Sequence, residues 1–176
     1  MKKILFAAMI CCVATMGLTL SSCEKKNEPT PESKLEAIDP YLVWGGNYAD
    51  VQKHIEAKAW WKDGNQELEY WAGAGWHKWY LVADSLTEQY IFETQEGENL
   101  LSVQCYCYDK TITIADARIC LEKRGYIYLS DRNIGEGDEV IKAPIYMSAD
   151  KQTRVYVIPY MTDYWYFYFS PMPSAN

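Results

Sequence analysis

The sequence predicts an α+β domain built from two tandem helix-plus-antiparallel-strand repeats, which form one continuous antiparallel sheet with the helices on one face. Three observations predict it. Helical stripes, each opened by a capping residue, recur 66 residues apart, at Asn47 and at Thr113. Strand-like blocks recur at an offset of 64 residues, Leu101–Cys105 against Trp165–Phe169. Turn-like segments fall in the same place in both halves, Gln95–Asn99 in one and Pro159–Asp163 in the other. Helices segregated to one face of an antiparallel sheet are the simplest way to bury both sets of apolar residues.

The chain opens with Met1-Lys2-Lys3, an apolar run from Ile4 to Leu20 and then Leu20-Ser21-Ser22-Cys23. A polar, charged segment follows at once from Glu24. This is the charge, apolar, small-residue order of a secretory signal, and it predicts removal of residues 1–22. That leaves 154 of the 176 residues, enough for one ordinary domain with a core. Lys2 and Lys3 leave with the signal, so the formal net charge moves from −7 to −9. So acidic a chain is a poor nucleic-acid binder.

Leu20-Ser21-Ser22-Cys23 resembles the lipobox of bacterial lipoproteins. The resemblance implies lipid on the Cys23 sulfur, cleavage before it and attachment to the outer membrane, because several acyl chains hold where one is marginal. Leu20 to Lys26 also looks like lipoproteins of the Bacteroides group, many of which reach the cell surface by an acidic run after the cysteine. Lys25 and Lys26 interrupt that run, which leaves both sides of the membrane open.

Residues 23–39 carry Pro29, Pro31 and many charges without an apolar period, and read as a flexible tether. The domain is expected over 40–172, its repeats near 40–110 and 111–172. In the first helix Val51, Ile55 and Ala59 form the stripe; in the second, Ala117, Leu121 and Gly125 do. Asp50 and Asp116 lie three residues after their caps, the spacing of a capping box, so a helix-end role is favoured over a catalytic one. Tyr90-Ile91-Phe92 aligns with Arg154-Val155-Tyr156 at the offset of 64. Further strands are expected near Glu67–Trp71, Trp79–Val82, Tyr126–Ser130 and Ala143–Met147, with a loop over Asp131–Glu139.

This helix-then-strands tandem, over Pro40 to Pro171, resembles β-lactamase-inhibitor-protein-like and TATA-binding-protein-like folds. The resemblance implies the twofold sheet. No functional residue of those families maps onto this chain, so it transfers neither inhibition nor DNA binding.

Strand alternation then separates two faces. Trp165, Phe167 and Phe169 share a row, as do Leu101, Val103, Cys105 and Cys107; these belong beneath the helices. Tyr106, Tyr108, Tyr166 and Tyr168 fall on the other face, joined by Phe92 and Tyr156. Tyrosine offers flat apolar area and a hydroxyl at little entropic cost, which suits a binding surface; aromatic cross-strand pairs also stabilise sheets without any ligand. A second cluster runs from Tyr70 to Tyr80, where Trp71, Trp76 and Trp79 flank a glycine-rich turn. Such tryptophans either stack on sugar rings or plug the edge of a core.

Of the cysteines left in the domain, Cys105 and Cys107 share a strand face and are poor partners for each other, while Cys120 could meet either or stay free. The spacing of Cys and His fits no zinc site, and neither a nucleophile elbow nor a phosphate loop occurs. No metal or cofactor is expected. The sequence therefore favours a non-enzymatic module that binds a protein or glycan through its aromatic sheet face. A carbohydrate-processing enzyme or accessory, and an envelope structural or inhibitory protein, are the alternatives.

Overall fold

The structure, a computed structural model, describes residues 31–58, 61–65, 67–134, 140–160 and 164–173. The signal segment and Cys23 lie outside the described residues.

Helix α2 (Tyr48–Glu56) starts where the Asn47 side chain accepts the Asp50 N–H at 3.0 Å, and it buries Val51 and Ile55. Helix α3 (Ile114–Lys123) starts on a full capping box: Thr113 Oγ1 accepts the Asp116 N–H, and the Asp116 carboxylate accepts the Thr113 N–H at 2.8 Å. Those bonds, the backbone one foremost, hold the Asp116 carboxyl below the ordinary aspartate range, as a capping acid requires. Gly125 was expected on the buried stripe of this helix. It is instead the terminator: at φ +80° its N–H reaches Glu122 O at 3.0 Å while the Tyr126 N–H closes on Leu121 O at 3.0 Å.

The strands are β1 (Lys62–Asp63), β2 (Glu69–Trp71), β3 (Gly75–Ala83), β4 (Leu86–Phe92), β5 (Leu100–Cys107), β6 (Ile127–Ile134), β7 (Ile141–Met147), β8 (Thr153–Tyr160) and β9 (Tyr164–Pro171). They form one antiparallel sheet in the order β1-β3-β4-β5-β9-β8-β7-β6, with β2 beside β3. The fold is therefore α+β, dominated by a nine-stranded sheet. Its centre is the pairing of β5 with β9, in register at Gln104↔Tyr168 and Tyr106↔Tyr166. Residues 131–134, expected in a loop, continue β6 and pair with β7.

One face of the sheet carries the core. Val103, Cys105 and Cys107 of β5 and Trp165, Phe167 and Phe169 of β9 lie there with Val51, Ile55, Ala117 and Leu121 of the helices. Burial drives the Cys105 thiol well above its usual range and Cys107 up to about 11, so neither is a nucleophile at neutral pH. Cys105 and Cys107 are free thiols, both buried.

Two residues leave their expected rows. Leu101 is bulged, since Ile91 pairs with Ser102 and Phe92 with Leu100, so Leu100 enters the core and Leu101 is exposed. Phe92, expected among the open-face rings, is fully buried on the helix side. The offset of 64 that relates β5 to β9 does not extend to β4 and β8: Val103 pairs with Tyr90, whereas Phe167 pairs with Val157. The connection over 93–99 is longer than that over 161–163, and an odd shift in register turns a side chain to the opposite face.

The expected tether is folded from Pro31 onward. Helix α1 (Pro31–Glu36) leads into a strap, and Leu35 of the helix and Ile38 just beyond it are buried in the main core. Arg124 donates to the carbonyls of Leu35 (2.9 Å) and Ile38, the Asp39 N–H donates to Glu88 at 3.1 Å, and the Tyr41 N–H donates to the Tyr90 hydroxyl at 3.1 Å. Lys34 pairs with Asp109 across the β5–α3 connection. The Lys34 ammonium, helped by Thr111, pulls the Asp109 carboxyl down to about 2. A depressed carboxyl stabilises the fold above its unfolded pKa near 4, and that contribution disappears as pH falls through 2. We expect Lys34 and Thr111 together, through Asp109, to contribute about 1–2 kcal/mol at neutral pH, lost across roughly pH 4 to 2. Acid titration of stability should flatten in that window in Asp109→Asn; an unchanged titration would refute the assignment.

Candidate functional site

Opposite the helices, the sheet presents alternate residues of β3, β4, β5, β8 and β9. Tyr106 and Tyr166, direct partners across the central pairing, bring their ring centroids to 5.0 Å. Tyr108 stacks on Tyr106 at 6.1 Å and 11°, and Tyr164 meets both, at 5.1 and 5.9 Å. Tyr156 and Tyr168 are 6.0 Å apart on the other side of β9. Tyr106, Tyr166 and Tyr168 are half-buried, Tyr108 is exposed, and Tyr156 is buried. The rings bury one another, and a second apolar cluster of Ala143, Ile145 and Ile158 beds Tyr156, Tyr166 and Tyr168. The face is thus an aromatic floor with its own small core beneath part of it.

Two hollows open on this floor. The smaller, about 290 Å³, is walled by Trp71, Trp79, Tyr106, Tyr108 and Tyr164, with Thr87 and Gln89 at its base. The tryptophan and tyrosine clusters, far apart in sequence, therefore meet on one surface. Trp76 does not join them: alternation along β3 turns it to the helix side, where it packs on the main core with Tyr70 at 5.3 Å. Trp79 is held by its surroundings. Asn65 Oδ1 accepts the Trp79 N–H at 2.9 Å, the Gly64 N–H donates to Trp79 O at 3.0 Å, and the indole lies over Gly64, where any Cβ would collide with it.

Beneath Trp71 lies His77, 1% exposed, its ring centroid 3.9 Å from the indole and its Nε2 3.6 Å from Glu69. Burial lowers its pKa and the Glu69 charge only partly offsets that, so the imidazole is neutral at pH 7. It supports Trp71 from below.

The larger hollow, about 880 Å³, lies over β9, β8 and the edge strand β6. Tyr156, Tyr166 and Tyr168 line it with Gln104, and Arg132, Arg154 and Ser170 supply polar groups. Arg154 lies over the Tyr156 ring, its Cζ 5.1 Å from the centroid, and Arg132 donates to the Tyr156 hydroxyl at 3.5 Å. Sequence reasoning missed these polar residues because Arg132 fell in a supposed loop and Arg154 was aligned with the wrong register. Strand alternation puts Tyr164 in the row of Tyr166 and Tyr168, but sequence reasoning did not carry it into the candidate site.

Among the described residues no group of three His, Cys, Asp or Glu side chains is placed to hold a metal ion, and no helix is long and apolar enough to cross a membrane. Comparison with known proteins finds no family model, no curated protein and no solved structure that matches the chain.

Proposed function

We propose that the protein is a non-enzymatic binding module, held to the bacterial outer membrane by lipid on Cys23, that grips a carbohydrate chain on its aromatic sheet face. The observation that carries the reading is the convergence of Trp71, Trp79, Tyr106, Tyr108 and Tyr164 around one hollow, beside a second hollow floored by Tyr156, Tyr166 and Tyr168. Flat rings with amide and hydroxyl groups between them match the apolar faces and hydroxyl edges of sugars. Among the described residues the two linings include no carboxylate, and hydrolysis of a glycosidic bond ordinarily takes two. That favours holding a ligand over cleaving it.

The same reading treats the domain as a diverged duplication of the kind found in β-lactamase-inhibitor-protein-like and TATA-binding-protein-like folds. Each capped helix precedes a run of strands, and the last strands of the two runs, β5 and β9, pair antiparallel at the sheet centre. Gln104 pairs with Tyr168, its own counterpart at the offset of 64, as a local twofold axis between those strands requires.

Trp79→Ala is expected to weaken capture of a ligand found on a glycan array by about tenfold or more, with the melting temperature nearly unchanged. Gly64→Ala, which displaces the indole without removing it, is expected to weaken the same ligand. Tyr106→Ser with Tyr166→Ser should abolish capture. Undiminished binding in all three would sink the reading.

A protein partner is the second reading, and the edge strand favours it. Among the described residues β6 pairs only with β7, and it exposes Ile127, Tyr128 and Leu129. An unprotected edge of this kind can accept a strand from another chain. Pull-down from solubilised outer membranes with Leu129→Lys beside Trp79→Ala separates the two: loss in the first variant alone points to the edge.

A further inference from the structure

The larger hollow differs chemically from the smaller one, and the difference names a ligand class. Arg154 and Ser170 are direct partners across β8 and β9, and both face the hollow. Ser170 is 8% exposed, yet its Oγ has no hydrogen-bond partner, and the buried Nε of Arg154 has none either. Unsatisfied buried donors are costly unless something supplies the missing acceptor. Arg132 approaches from β6, and among the described residues its hydrogen-bond partner is the Tyr156 hydroxyl. Among the described residues neither guanidinium forms an ion pair, although the chain carries 24 acidic residues. Two guanidinia without a carboxylate partner among the described residues, converging with a hydroxyl beside aromatic rings, make a site for an acceptor-rich anion joined to a flat, ring-sized body.

We infer that this hollow binds the carboxylate of an acidic sugar, with Arg132 and Arg154 as its cationic partners, Ser170 Oγ as a hydroxyl donor, Tyr168 beneath the sugar ring, and the buried Tyr156 holding both guanidinium groups in place. The inference rests on the carbohydrate-binding reading and adds the charge of the sugar. Planar guanidinium groups pair with carboxylates through parallel N–H···O bonds, and the rings favour an anion carried on a sugar over a free one.

The test is calorimetric titration of the detergent-solubilised full-length chain with a short oligogalacturonate, its methyl ester and inorganic phosphate. The acid is expected to bind about tenfold or more tighter than the ester, more weakly at high salt, and tighter than phosphate. Arg132→Gln, at an exposed position on the edge strand where folding is spared, and Arg154→Gln should each erase most of the preference for acid over ester. Equal binding of acid and ester, an unchanged preference in both variants, or tighter binding of phosphate would overturn the inference. Binding of neutral oligosaccharides that Trp79→Ala weakens, without an acid preference, would overturn this inference alone. Failure of every saccharide to bind would overturn the carbohydrate reading with it.

Discussion

Replacing Phe167 with alanine is expected to lower unfolding stability by about 3–5 kcal/mol, the usual cost of emptying an aromatic site in a core. Phe167 is 1% exposed on β9, the strand that joins the halves of the sheet. Its backbone faces Cys105 on one side and Val157 on the other, and its ring packs against Trp165 at 5.0 Å and Phe169 at 5.7 Å. A cavity there touches side chains held by strand pairing on both flanks, so the surroundings have little freedom to collapse into it. Phe167→Leu should cost distinctly less, because most of the volume returns. Since the ring lies on the helix side, saccharide binding by Phe167→Ala should persist wherever the variant remains folded. Equilibrium urea unfolding with both variants checks the claim; a loss below about 1 kcal/mol would contradict a packed core at this position.

Lys58→Met is expected to cost about as much, roughly 3–5 kcal/mol, for a different reason. Glu88 has a side chain with no exposure, beneath the strap that follows α1. Its carboxylate accepts two bonds from Lys58 Nζ, at 2.7 and 2.8 Å, one from the Tyr90 hydroxyl at 2.7 Å and one from the Asp39 N–H at 3.1 Å. Removing the lysine strands a buried negative charge that the two remaining donors cannot neutralise. The double variant Lys58→Met with Glu88→Gln should recover much of the loss, since a neutral amide needs only hydrogen bonds. Amide exchange should show the strap over residues 35–44 opening first in the single variant. Equal stability of the single and double variants would mean that the charge itself contributes little.

The strap illustrates what the sequence conceals. Leu35 and Ile38 lie one helical turn apart, a period too short to stand out among the prolines and charges of 23–39. Their burial depends on Arg124, more than 80 positions away, reaching the carbonyls at the end of α1. The charged composition that suggests a flexible tether is also what pins the segment, through Lys34 with Asp109 and Arg124 with the helix end.

Capped helices, strand blocks and the separation of two sheet faces were legible in the residues, because caps and alternation are local rules with a fixed geometric meaning. Asn47, Thr113 and the Tyr106, Tyr166 and Tyr168 row needed no tertiary knowledge. What the rings stand beside was decided only by the fold. The tryptophans of β2 and β3 meet the tyrosines of β5 and β9 because β4 lies between β3 and β5 and because β9 returns to pair with β5. Trp76 and Phe92 turn inward, while Arg132 and Arg154 come to one hollow, because bulges, hairpin lengths and strand order set register. A shift of a single position exchanges the two faces of a sheet, and no local pattern records it.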